Sequence, residues 1–191
     1  IYNQMAQTLV GYDATGSIKK FTTSAGTEIK DALFINFARL LTKDEIKKGS
    51  FTLNALTGGT APTGTSPMVI TDTSGANGYR VDSPAGEYGY LYDAGGVEKG
   101  NLYYQAGIAI LSGGLVFTDA FGAADSTALD QRASFVTLAT GSVINEISDG
   151  FRNKLTNVSF NNTTELNSTI YFCRVNHNDF NYSSNPTYLS G

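Results

Sequence analysis

Residues 87–121 read EYGYLYDAGGVEKGNLYYQAGIAILSGGLVFTDAF, and the reading of this stretch decides the fold. Three runs rich in aromatic and aliphatic residues, 88–92, 102–111 and 115–121, are separated by breaks at Ala94-Gly95-Gly96 and Gly113-Gly114. Runs of this length and composition suit strands, and the glycines supply the backbone freedom that a tight reversal needs. The spacing predicts antiparallel strands. The same punctuation continues on both sides. Residues 7–12 and 17–23 flank Asp13-Ala14-Thr15-Gly16, whose Asp and Gly carry the turn chemistry of a hairpin. Residues 51–56, 68–73, 158–160 and 168–176 read as further strands, and 57–66 (TGGTAPTGTS) as a loop.

Helical signals are few. The run DALFINFARLL at 31–41 fits either a buried strand or the start of a helix. Thr42-Lys43-Asp44-Glu45 has the spacing of a capping box, which predicts a helix over 43–48 closed by Gly49. Ile144, Ile147, Phe151 and Leu155 fall on one helical stripe and predict a helix over 143–155. A second helical pattern at 129–138 is weakened by Ser134, Val136 and Thr137. No repeat of fixed period is visible. The expected fold is mainly β with minor α, antiparallel and sandwich-like, with one or two short helices in a single domain over 1–191.

Charged residues make up only 16% of the 191, against about 25% in an ordinary soluble domain, and Gly, at 21 residues, is enriched. With 11 Tyr, 11 Phe and little charge to desolvate, such a surface suits contact with proteins or sugars. The net charge of −4 argues against a broad basic face for phosphate backbones, so no nucleic-acid partner is expected. The longest apolar stretch, 107–117, is broken by Ser112-Gly113-Gly114 and falls far short of the roughly 20 residues of a membrane helix. No membrane insertion is expected. The chain opens without an initiator Met and closes directly after a strand-like Tyr188-Leu189, which suggests a segment of a longer polypeptide. Cys173, the single cysteine, has no internal disulfide partner.

Catalytic patterns are weak. Cys173 and His177 are the only thiol and imidazole; four residues apart on a strand they would lie about 13 Å from each other, beyond hydrogen-bond reach. His177 with Asp179 supplies too few ligands to define a metal site. Glu146 and Asp149 read as a solvated helix face beside Arg152. Residues 72–78 (DTSGANG) lack the acidic pattern and the bidentate Glu of a calcium loop and read as a turn. Gly58 to Gly64 lacks the Gly-Lys-Ser/Thr ending of a phosphate loop. Lys43, Lys47 and Lys48 are diluted by Asp44 and Glu45. The five Asn-x-Ser/Thr sequons at Asn157, Asn161, Asn162, Asn167 and Asn181 fit an Asn-rich tail and carry no inference of glycosylation. No cofactor is expected, and no enzyme. Tyr88, Tyr90 and Tyr92 alternate, so their rings point to one side of a strand. Three readings stay open for them: core, protein interface or sugar-stacking platform.

Several blocks resemble one family: IYNQMA at 1–6, ALFINFARLLTKDEIKKGS at 32–50, SPAGEY at 83–88, YYQAGI at 103–108 and CRVNHNDFNYSSNPTYLS at 173–190. They resemble virion structural proteins of T4-like tailed phages of marine cyanobacteria. LLTKDEIKKGSF and RVNHNDFNYSSNPTYLS are the more specific blocks, and residues 54–78 are the variable part. The resemblance implies a longer parent polypeptide and a non-enzymatic particle component, made in the host cytoplasm and placed in the tail or baseplate; it carries over no catalytic residue. The expected partners are sister subunits and other virion proteins, met through Tyr88, Tyr90, Tyr92 and the Asn/Tyr-rich end with Tyr182 and Tyr188. The alternatives are a receptor- or carbohydrate-binding module that takes a host glycan, or a capsid decoration protein.

Overall fold

In the computed structural model, which describes residues 1–56, 67–116, 148, 151–152 and 154–174, seven strands form one antiparallel, curled sheet. Its strands are β1 (Ala32–Asn36), β3 (Thr52–Leu56), β4 (Pro67–Thr71), β5 (Tyr88–Asp93), β6 (Glu98–Tyr103), β7 (Ile108–Ser112) and β8 (Leu155–Ser159). The order across the sheet is β1-β7-β6-β5-β4-β3-β8. A second sheet pairs β2 (Glu45–Ile46) with β9 (Asn162–Thr163). Four short helices have their bounds within the described residues, more than the one or two expected: α1 (Tyr2–Leu9), α2 (Arg39–Thr42), α3 (Gly75–Gly78) and α4 (Gly113–Val116). The fold is mainly β and sandwich-like, as its composition and punctuation predict.

The central strands are buried on both faces, which is why 108–111 shows no polar alternation. On one face Ala109 and Leu111 join Leu53, Ala55, Ile70, Leu91 and Leu102 in the larger core. On the other, Ile110 and Tyr103 pack with Ala6, Leu9, Phe21 and Ile29. That second face is covered by α1 and residues 11–29. Tyr2, Met5, Ala6 and Leu9 recur at helical spacing and face this core. The strand expected over 7–12 is therefore corrected: the apolar spacing begins at Tyr2, and the helix runs to Leu9. The Tyr2 hydroxyl locks the cover in place, donating to the Ile29 carbonyl (2.7 Å) and accepting from the Phe21 N–H (3.2 Å).

Residues 11–29 hold a repeat that residue identities conceal. Bridges Tyr12↔Ile18 and Thr22↔Glu28 stand ten positions apart. In the first turn Asp13 N–H donates to the Ser17 carbonyl and Gly16 N–H to the Asp13 carbonyl; in the second, Thr23 and Gly26 do the same with Thr27 and Thr23. Gly16 and Gly26 both have φ of +82°, the left-handed conformation that glycine adopts without steric cost. The predicted hairpin at 13–16 is present, although residues 17–23 contribute isolated bridges rather than a strand.

The β5–β6 turn uses the same geometry, with Gly96 at φ +78° and the Asp93 carboxylate accepting from Gly95 and Val97 N–H, each at 2.9 Å. The Val97 N–H is the main influence holding the Asp93 carboxyl below its ordinary value, with Lys99 adding to it against partial burial. A lowered folded-state value means that this stabilisation is present above the unfolded value near 3.8 and is lost as pH falls through the folded one. Urea midpoints taken at about pH 5 and about pH 3 should fall further for the wild type than for Asp93→Asn, which has no such proton to gain.

Other expectations need correction. The helix over 43–48 is absent. The helical turn lies earlier, at α2, and Thr42 ends it instead of capping a new one, with its hydroxyl turned back toward the Arg39 carbonyl. Lys43 has φ +57° and reverses the chain, so that Glu45 and Ile46 pair with β9 and Ile46 enters the core. Core burial of one isoleucine outweighs the local capping preference. The 31–41 run resolves into both of its alternatives, β1 and then α2. Residues 102–111 split at the turn 104–107 into the end of β6 and β7. Leu115 and Val116, expected in a strand, lie in α4, whose Val116 is buried; 117–121 lie outside the described residues. Ser148, Phe151, Arg152 and Lys154 are helical, in line with the stripe, but Leu155 opens β8. The rest of 143–155, together with 57–66 and 129–138, lies outside the described residues. Residues 168–174 carry no strand, and 175–176 lie outside the described residues.

Candidate functional site: a tyrosine-walled groove

Gly89 and Leu91 turn into the larger core, so Tyr88, Tyr90 and Tyr92 share the opposite side of β5, each half-buried. The ladder is not uniform. Tyr88 stacks on buried Tyr103 (centroids 5.1 Å, interplanar angle 23°) and meets Tyr90 edge-on at 5.9 Å. Burial, followed by the neighbouring Tyr90 and the Asp82 carboxylate, pushes the Tyr88 hydroxyl well above its ordinary range. Tyr88 thus anchors the row in the core, while Tyr90 and Tyr92 wall a groove of about 360 Å³ with Ser24, Ser74, Gly78, Tyr79 and Arg80.

The opposite wall is built by a chain reversal. Arg80 pairs with Tyr88 through two backbone hydrogen bonds (2.7 and 3.0 Å), which places its guanidinium 6.0 Å from the Tyr90 ring centroid. That is cation–π distance, and it leaves the guanidinium beside the groove as a donor. Ser24 comes from the second of the tandem turns. Glu98 clamps it there, accepting from the Ser24 N–H (2.9 and 3.0 Å) and hydroxyl (2.6 Å). Tyr79 is braced by the Lys48 ammonium, 4.9 Å from its ring. Lys48 also pairs with Glu45 (3.4 Å) and Glu87. Burial opposes the Lys48 charge, but these two carboxylates outweigh it and hold the ammonium above its ordinary value.

The groove offers aromatic faces, an arginine and hydroxyls, which is recognition chemistry; among the described residues no carboxylate lines it. Among the described residues no group of three His, Cys, Asp or Glu side chains is placed to hold a metal. Cys173 is exposed, while His177, Glu146 and Asp149 lie outside the described residues. Asp44, Glu45 and Glu165 share a pocket with Arg39, Gln105 and Asn167. Among the described residues that pocket has no aromatic wall to seat a sugar ring. Of the expected interface residues, the structure brings Tyr88, Tyr90 and Tyr92 together; Tyr182 and Tyr188 lie outside the described residues. Sequence reading missed Arg80, Tyr79 and Ser24. The available signal was the Asp82-Ser83-Pro84-Ala85-Gly86 turn, which folds Tyr79-Arg80 back along the ladder.

Among the described residues no helix is long and apolar enough to cross a membrane. Comparisons with protein-family models, with curated proteins and with solved structures give no match.

Proposed function

We propose that this chain is a non-enzymatic structural subunit of a tailed-phage virion, placed in the tail or baseplate and acting by protein–protein assembly. One observation carries the reading. After β9 the chain runs through residues 164–174 with every side chain exposed, including Leu166 (92%), Ile170 (73%), Tyr171 (84%) and Phe172 (91%). Single exposed apolar residues are ordinary, but a run of them outside any helix or strand is apolar area that a partner covers. Low overall charge and the resemblance to cyanophage virion proteins point the same way. Recovery of the protein in purified particles tests it.

A second reading, a receptor- or glycan-binding module, is favoured by the groove alone. A ring wall of Tyr79, Tyr90 and Tyr92 with Arg80 at its side suits one face of a sugar. On this reading Tyr90→Ala reduces glycan binding about tenfold or more while assembly is unchanged, because the ring is only half-buried. A glycan array that gives the same signal for wild type and variant removes this reading.

A further inference from the structure

We infer that residues 169–174 of one copy add as a strand to the outer edge of β1 in a second copy. The inference rests on the assembly role above and specifies its contact. β1 ends the sheet, and its ladder with β7 is bracketed by two hydrogen bonds, Gly113 N–H to the Asp31 carbonyl and Phe37 N–H to the Gly107 carbonyl. Alternation in an antiparallel pair then turns the backbone groups of Leu33 and Ile35 toward β7, and those of Ala32, Phe34 and Asn36 outward. Among the described residues no backbone group pairs with that outer edge. β1 reads ALFIN, with no proline, lysine or inward charge to discourage pairing.

The side chains select this edge. Leu33 and Ile35 pack on the larger core and Ala32 and Phe34 on the other, so β1 is apolar on both faces. A strand laid beside it must be apolar on both faces too. Residues 169–173 read TIYFC: Ile170 and Phe172 would extend one layer, Tyr171 and Cys173 the other. The opposite end of the sheet makes a poor match. On β8, Thr156, Asn157 and Ser159 are exposed and only Leu155 and Val158 pack inward, so its neighbour would have to alternate polar with apolar. The arm leaves its own chain beside Asp44, where Glu165 N–H donates to the carboxylate (2.8 Å), and then runs exposed, available to another molecule.

The test uses the full chain, with light scattering across a concentration series and residue-resolved amide exchange. The wild type is expected to self-associate, with the Ala32, Phe34 and Asn36 amides slowed in the oligomer. The double variant Ile170→Asp/Phe172→Asp should weaken association about a hundredfold or more and release those amides, with the monomer fold intact because both residues are exposed. Asn36→Pro removes one outward donor from an exposed edge position and should weaken association with the arm untouched. A wild type that stays monomeric overturns the inference. So do an oligomer indifferent to both variants and a monomer whose arm slows its own β1 amides. Arm-independent oligomers from a protein that is recovered in particles would retire the strand exchange and leave the assembly role. Absence from particles would retire that role, whatever interface the oligomer uses.

Discussion

Gly100→Ala is expected to lower the thermal midpoint by about 10 °C, well beyond the effect of a methyl group added at the open turn glycine Gly16. Gly100 pairs with Leu111 between β6 and β7 in the middle of the sheet. A Cβ there would overlap the Ile110 carbonyl oxygen and lie 3.0 Å from the Leu111 Cα. Both obstacles are backbone, so no rotamer change relieves them; two paired strands would have to separate. Gly16→Ala is the matched control. Its Cβ would meet nothing within 4 Å, and only the positive φ opposes it, at a cost of about 1 kcal/mol. Thermal unfolding of the two variants should separate overlap from backbone conformation. Equal shifts would contradict the packing of β6 on β7.

Asp72→Ala should cost about 3–5 kcal/mol, read from urea unfolding. Asp72 is fully buried, and its carboxylate accepts from Gly49 and Phe51 N–H, each at 2.8 Å. These bonds tie the segment before β3 to the end of β4, beside the buried Tyr104 ring of the larger core. Alanine leaves the buried Phe51 N–H and the part-buried Gly49 N–H without their acceptor, whereas Asp72→Asn keeps one acceptor and should fall between. Burial raises the Asp72 carboxyl above its ordinary value, despite the two backbone donors. For an acid raised in the folded state the contribution is full below the unfolded value and declines as pH rises through the folded one. The margin of the wild type over Asp72→Asn should therefore widen from about pH 7 to about pH 4.

The strands of the central sheet were legible because aromatic and aliphatic runs punctuated by glycine leave few other solutions. What local pattern could not show was where tertiary burial overrules it. Thr42 to Glu45 satisfies the chemistry of a cap, yet Ile46 belongs to the core, and the core decides. Asp72 looked like a turn residue because nothing in DTSGANG signals that its carboxylate accepts from residues more than twenty positions earlier. The tandem turns share only glycine at equivalent places; backbone hydrogen bonds carry the rest of the repeat. At the groove, alternation placed three tyrosines on one side of β5, but which of them anchors and which faces out depends on Tyr103 and Arg80, reached through other segments.

On the proposed reading this chain is a particle component working by assembly. Immunogold electron microscopy with a matched immunoblot, using antibodies to this chain on purified intact particles and tail-less capsids from the source lysate, decides the matter. Blot-positive particles with label confined to the tail or baseplate are expected. Label on capsids would contradict the placement, and blot-negative particles would contradict the structural role itself.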